Sequence, residues 1–285
     1  MSQPPRIAIL PYEAKLGLLP GGFPLDKLDW PLGQPDGIAG KCLRDLGPDD
    51  HLIVYPRKSH YRRFGFGTRA NVSIMVLEPR VIHGAHMDRL RNAYGRFHKV
   101  LASNEALLSA IPNGVFFPAG GCWVPDWRDL GRAKSRNLSL IASEKRSQKG
   151  HLLRHSMVDW ARDADVEMDA LGRGYTPFHA KSEGLAPYRF SVVIENIQER
   201  NYFTEKLVDA ILCRTVPIYW GCPNIADFFD TSGMIICEDE ASLRAAVLAA
   251  SEEGYAERLA ALEAIVPVAA DYGDFYTRAA RAVMG

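Results

Sequence analysis

The stretch "NYFTEKLVDAILCRTVPIYWGCP" (201–223) sets a threonine, a glutamate and a lysine where the helical spacing of apolar residues begins. Lys206 then falls in the first turn of that helix, where the positive end of the macrodipole disfavours a cation by roughly 0.3–1 kcal/mol. A bound anion reverses the sign, because the free N–H groups of a first turn and an adjacent ammonium together make a phosphate site. Asn201 or Thr204 supplies a side-chain oxygen that caps the helix. Glu205 is suited to accept from ribose hydroxyls, as carboxylates do in nucleotide sites, and Tyr202 offers a ring to stack or a hydroxyl to donate. Taken as a dipeptide alone, Glu205 and Lys206 fit a solvated surface pair equally. The preceding run "YRFSVVIEN" changes those odds: it marks a buried strand that carries Glu195 and Asn196 to its carboxyl end.

Positioning these residues takes a largely parallel α/β sheet. "LSLIAS", "VEMDALG", "YRFSVVIEN", "TVPIYWG" and "GMIICED" read as strands, with "HLLRHSMVDWARDA", "FTEKLVDAILCR" and the short "NIADFFD" as helices between them. In such a repeat the ligand sits at the carboxyl ends of the strands. An earlier series has "RIAILPY", "HLIVYP", "NVSIMVLEP" and "KVLAS" as strands, a helix from Met87 to Val100, and the turn-rich "FFPAGGCWVPDW". The polar "RDLGRAKSRN" reads as a linker. The expected organisation is a first Rossmann-like domain over residues 1–128, a second over 129–268, and a terminal helix over 269–285 that packs back on the first, the two lobes facing a cleft.

The 285 residues, 47% hydrophobic and 24% charged, describe a globular protein with room for two such domains. Lys plus Arg (34) balance Asp plus Glu (34), which removes the basic excess that nucleic acid demands and leaves a small molecule or a neutral glycan or peptide as partner. Five cysteines without a CxxC pair support neither a disulfide framework nor a zinc ribbon. No apolar run approaches the ~20 residues of a bilayer span. The expectation is a soluble, unprocessed, cytoplasmic protein.

The segments "FSVVIEN", "NYFTEKLVDA" and "RTVPIYWGCPNIADFF" together resemble the α-1,3-fucosyltransferases, glycosyltransferase family ten. That family carries the block F-x-x-E-N-S, then Y-V-T-E-K, a helix, and T-x-P-(I/V)-(Y/V)-x-G-x-P. "TVPIYWG" is similar to the bacterial members. The resemblance implies the GT-B fold, a pair of Rossmann-like lobes, with the acceptor side on the first and the GDP-sugar on the second. It also implies inverting transfer of L-fucose from GDP-fucose to a glycan hydroxyl. Tyr202, Thr204, Glu205 and Lys206 would bind the GDP part, and Glu195 and Asn196 would line the floor near the sugar. Upstream, "LSLIASEKRSQKGHLLRHSMVDWARDADVEMDALGRG" resembles the family segment in which a basic residue at a loop-to-helix junction binds the pyrophosphate. The register here leaves Lys149, His151 and Arg154 as candidates, Arg146 less so, with Lys149 and Arg154 favoured; a solvated basic loop is the alternative.

Inversion needs a base to take the acceptor proton, and a carboxylate is the usual choice in sugar chemistry. Glu78, at the end of "NVSIMVLEP" and held extended by Pro79, is the counterpart of a carboxylate that the family places after a strand of its first lobe. A structural or solvated carboxylate is the competing reading. His83 and His86 lack a third ligand for a metal and read as acceptor-side or exposed loop residues. Asp163 and Asp165 imitate a metal-binding Asp-x-Asp but fall at a helix end. The "PAGGCWV" turn brings Gly120, Gly121 and Trp123 either to the sugar or to a packed turn, and Cys122 and Cys222 read as small buried hydrophobes. No cofactor or metal is expected, since cations around the pyrophosphate make a divalent ion dispensable. The alternatives are the same scaffold with another nucleotide sugar and a non-catalytic nucleotide-sugar-binding protein. The acceptor and the oligomeric state have no signature in the chain.

Overall fold

The computed structural model describes residues 4–285, and the chain divides into two units: the residues up to Pro118 together with Phe275–Gly285, and Ala119–Asp274. Residues 1–3 of the first expected domain lie outside the described residues. The division falls earlier than residue 128 because the glycine-rich turn is built into the second unit. Gly121 N–H donates to the Tyr272 carbonyl (3.0 Å), and Trp123 N–H donates to the Asp209 carboxylate (2.9 Å).

In the first unit the strands β1 (Ile7–Ile9), β2 (His51–Val54) and β3 (Asn71–Val76) precede helix α1 (Arg80–Ala93). Strand β4 (Val100–Ala102), helix α2 (Glu105–Leu108) and strand β5 (Gly114–Phe116) follow. All five strands are parallel and lie in sequence order, β1-β2-β3-β4-β5. The near-continuous burial of β1 and β2 is what a parallel sheet covered on both faces imposes. Helix α1 begins directly after Pro79, well before Met87, so His83 and His86 are helical rather than loop residues. Among its residues only Met87 and Leu90 are buried, which leaves too faint a period to locate its start from sequence.

In the second unit the order is β6 (Arg136–Ile141), α3 (Lys149–Asp163), β7 (Asp169–Leu171), β8 (Tyr188–Ile194), α4 (Glu205–Leu212), β9 (Val216–Trp220) and β10 (Ile235–Ile236), then α5 (Glu240–Leu248), α6 (Glu252–Ala264) and α7 (Val266–Gly273). The sheet runs β10-β9-β8-β6-β7, all parallel. The chain therefore winds one way from β6 to β7 and the other way from β8 onward. That reversal makes the carboxyl ends of β6 and β8 a topological switch point, the place where open α/β sheets bind ligands. Helix α3 departs from one of these ends and α4 from the other. The last helix, α8 (Phe275–Met284), belongs to the first unit: Ala279, Ala280 and Val283 are fully buried, and Lys99 Nζ donates to the Ala282 carbonyl (3.1 Å).

The segment "RDLGRAKSRN" is no linker, because its Lys134 is built into the second unit. Lys134 Nζ donates to the carbonyls of Ala186 and Cys213 (both 2.8 Å) and to Thr215 Oγ1 (3.1 Å), closing the carboxyl end of α4. Burial lowers its pKa from 10.5 to about 8. Between those values the unfolded lysine is protonated and the folded one neutral, so unfolding takes up a proton and stability rises with pH across about 8 to 10.5. Chemical denaturation over that range should give the wild type a slope more positive than that of Lys134→Met by up to about 1.4 kcal/mol per pH unit.

Candidate functional site

Strand β8 ends at Ile194, and the next residue, Glu195, is fully buried. Its carboxylate accepts from Thr204 N (2.8 Å) and Thr204 Oγ1 (2.8 Å), a two-point clamp that fixes where α4 begins. Thr204 is thereby the N-cap: its backbone is extended, and its Oγ1 accepts from Lys206 N (3.3 Å). Asn201 has a different task. It sits in the left-handed region (φ 62°), where asparagine is tolerated, and pairs with Asn224 through its backbone N–H (2.9 Å) and its side-chain oxygen (2.8 Å).

The lysine in the first turn is explained by what surrounds it. Lys206 Nζ lies 3.1 Å from Thr204 Oγ1, 3.2 Å from Glu205 Oε1 and 3.7 Å from Glu195 Oε2. Burial would lower its pKa, but Glu205 and Glu195 outweigh that and hold it above the ordinary lysine value. Burial likewise works against ionised Glu205, yet Lys206 and Lys181 keep it below the usual carboxylate range. Glu195 goes the other way, raised by complete burial despite Lys206. Lys206 keeps 27% of its side-chain surface exposed, so its ammonium stands between two carboxylates and the solvent outside the helix start.

Arg154 and Glu195 do not occupy the positions expected of ligand-binding groups. Arg154 on α3 is buried, and its guanidinium donates to the Ile194 carbonyl (2.9 Å from Nε) and to Asn196 Oδ1 (3.2 Å). It fastens the end of β8 instead of facing solvent. Glu195 lies under the helix start rather than on an open floor. His151 is also turned inward, accepting from Gln148 N (3.2 Å) at the start of α3. Lys149 remains the open cation at that junction: it is exposed, is the first residue of α3, and its Nζ lies 5.4 Å from the ring centre of Trp220. Asn196 is half-buried beside it, and Tyr202 is buried, 3% exposed.

Glu78 lies in the turn between β3, which ends at Val76, and α1; it is half-buried at the carboxyl edge of the first sheet. The histidines that follow it pack against each other and against Tyr61, with rings 5.5 Å apart and His86 Nδ1 3.2 Å from the Tyr61 hydroxyl. Burial pushes His83 down to about 4. Asp163 and Asp165 end α3, whose other end is at the switch point, about 20 Å away at 1.5 Å per residue. Burial raises the Cys122 thiol to about 11 and raises that of Cys222, so neither is a ready nucleophile.

Three residues escaped the sequence reading. Lys181 Nζ binds Asp209 Oδ2 (2.7 Å) and lies 3.8 Å from Glu205 Oε1, and Asp209 is fully buried on α4. Asp209 carried a signal, a lone charge among Leu207, Val208, Ala210 and Ile211, all buried. Lys181 carried none. Gly150 is the third: a Cβ there would meet the Glu195 carbonyl oxygen at 1.7 Å, so only glycine lets α3 touch the end of β8.

Two parallel-sheet α/β units, with a capped helix start at a switch point, define a glycosyltransferase scaffold of the GT-B type. In keeping with this, TarM of S. aureus, in a structure titled as a complex that includes UDP, superposes with a TM-score of 0.53 at 11% identity, covering 81% of this chain and 55% of that one. Residues 132–250 match "Glycosyltransferase family 10 (fucosyltransferase) C-term", and the second unit thus carries the C-terminal domain of family 10. The α-(1,3)-fucosyltransferase FucT of Helicobacter pylori is 41% identical over 59 residues, 21% of this chain and 12% of that protein. An α-(1,4)-fucosyltransferase of Arabidopsis thaliana is 34% identical over 70 residues, 25% and 17% respectively. The chain thus spans less than a fifth of the length of the curated relatives it matches.

Proposed function

We propose that the protein transfers L-fucose from GDP-fucose to a hydroxyl of a glycan with inversion, and that the start of α4 binds the diphosphate. One observation carries this reading: the Thr204 cap, Glu205 and a partly open Lys206 stand together at the switch point of a family 10 domain. Lys206, the free N–H groups of α4 and Lys149 stabilise the charge that grows on the leaving pyrophosphate, the electrostatic contribution expected to be largest. With these cations in place the reaction needs no divalent ion. Glu205 accepts from the ribose, Asn196 and Tyr202 border the donor, and Glu195 and Arg154 fix the frame. Glu78 takes the acceptor proton. Among the described residues no helix is long and apolar enough to cross a membrane, and a cytoplasmic site of action is part of the proposal.

Thermal shift with GDP, UDP and their fucose, mannose and glucose conjugates tests the donor. GDP and GDP-fucose at 100 times their dissociation constant should add about 2.7 kcal/mol; a preference for UDP would overturn the reading. The second reading, another nucleotide sugar, is favoured by TarM, whose structure with UDP shares the scaffold. For the base, Glu78→Gln should lower transfer by about 10²–10⁴-fold while GDP-fucose binding stays unchanged. Normal turnover in that variant would remove Glu78 from the mechanism.

A further inference from the structure

The Lys181–Asp209 pair lies against the donor-binding turn and is assigned no role by the reaction just proposed. Lys181 enters from the short helical turn Lys181–Gly184, with only 11% of its side chain exposed. Its ammonium touches Asp209 Oδ2 at 2.7 Å, the Glu205 carbonyl at 3.5 Å and Glu205 Oε1 at 3.8 Å. Asp209 is held in turn by Trp123 N–H (2.9 Å), and the Trp123 ring covers the ammonium at 5.2 Å. A buried ion pair is costly to desolvate and is weak evidence for a stabilising role alone. Its placement beside Glu205 points elsewhere.

Without a ligand, Lys206 is the nearer of two cations on Glu205, at 3.2 Å against 3.8 Å for Lys181. A diphosphate at the start of α4 draws Lys206 away from Glu205 and Glu195. Glu195 keeps its two bonds from Thr204, whereas Glu205 retains Lys181 as its one adjacent cation among the contacts described here. We propose that Lys181, anchored by Asp209, is a positioning residue that keeps Glu205 ionised and in place while Lys206 serves the diphosphate. The inference rests on the reading of α4 as the diphosphate-binding helix.

The test is calorimetric titration of the full chain with GDP in the wild type, Lys181→Met, Lys181→Arg, Glu205→Gln and the Lys181→Met/Glu205→Gln double variant. Lys181→Met should bind GDP about tenfold more weakly or worse, within the range in which contacting residues couple, and Lys181→Arg should recover most of the loss. The double variant should bind no more weakly than Glu205→Gln alone. Unchanged affinity in Lys181→Met, or losses that multiply in the double variant, would overturn the proposal. If Lys181→Met does not fold, Asp209→Asn replaces it, since an amide oxygen still accepts from Trp123 N–H; the same non-additivity with Glu205→Gln is expected, and multiplying losses again overturn it. A wild type that fails to bind GDP sinks the function reading itself, a result distinct from either.

Discussion

Lys206→Met should lose GDP binding by about 100-fold or more and should also unfold at lower temperature. The two effects have different origins. Binding falls because a charge-assisted contact to the diphosphate disappears, and hydrogen bonds to charged groups are each worth about 1.5–3 kcal/mol; loss of the neutralising ammonium beside Glu195 and Glu205 adds repulsion of the ligand. Stability falls because breaking a buried pair strands its partner, at a cost of about 3–5 kcal/mol where burial is complete and less here, with Lys206 still 27% exposed. The stability effect has a pH signature. Without the ammonium, the folded-state pKa of the buried carboxylates, Glu195 above all, rises further above the unfolded value, so protonation on acidification relieves the penalty. The gap in melting temperature between wild type and Lys206→Met should be widest near neutral pH and shrink toward pH 5. A gap that widens on acidification would show that Lys206 is not the counter-charge of Glu195 and Glu205.

Much of this site was legible because its parts are local in sequence. Strand β8, the cap at Thr204, the helix start and β9 fall within residues 188–220, and a helix start advertises itself through a cap, a first-turn charge and an apolar period. What sequence could not give was the direction a charged side chain takes. Arg154 and Lys149 are both basic residues near the same loop; only the tertiary packing turns Arg154 inward to the Ile194 carbonyl and leaves Lys149 exposed. Glu195 has the identity of a ligand-binding carboxylate and the burial of a structural one. Lys181 reaches Asp209 across 28 positions of sequence, a pairing that no spacing rule encodes. In the first unit, α1 was started too late because so few of its residues are buried, and the three-residue β5 was lost among turn residues.

Gly150→Ala should be the most destabilising single-methyl change in the second unit. The added Cβ would sit 1.7 Å from the Glu195 carbonyl oxygen, 2.9 Å from the Glu195 carbonyl carbon and 3.0 Å from that of Asn196. All three are backbone atoms at the end of a central strand, so no rotamer change relieves the clash. Helix α3 must move outward, and in moving it breaks the bond from Gly150 N–H to the Asn196 carbonyl (2.9 Å) and strains that from Arg154 to the Ile194 carbonyl. Overpacking of this kind costs about 1–3 kcal/mol where side chains yield, and more where they do not; about 3 kcal/mol or more is expected in urea denaturation. The gain in helix propensity, which favours alanine over glycine by about 1 kcal/mol, does not offset it. Gly254→Ala in α6 is the control, because its Cβ would meet nothing closer than Ser251 Oγ at 3.4 Å and only the propensity gain remains. Since α3 brings Lys149 to the same strand end, a folded fraction of Gly150→Ala should also bind GDP more weakly, whereas Gly254→Ala should bind as the wild type does. Equal stability of the two variants would mean that α3 does not rest on the end of β8 as described.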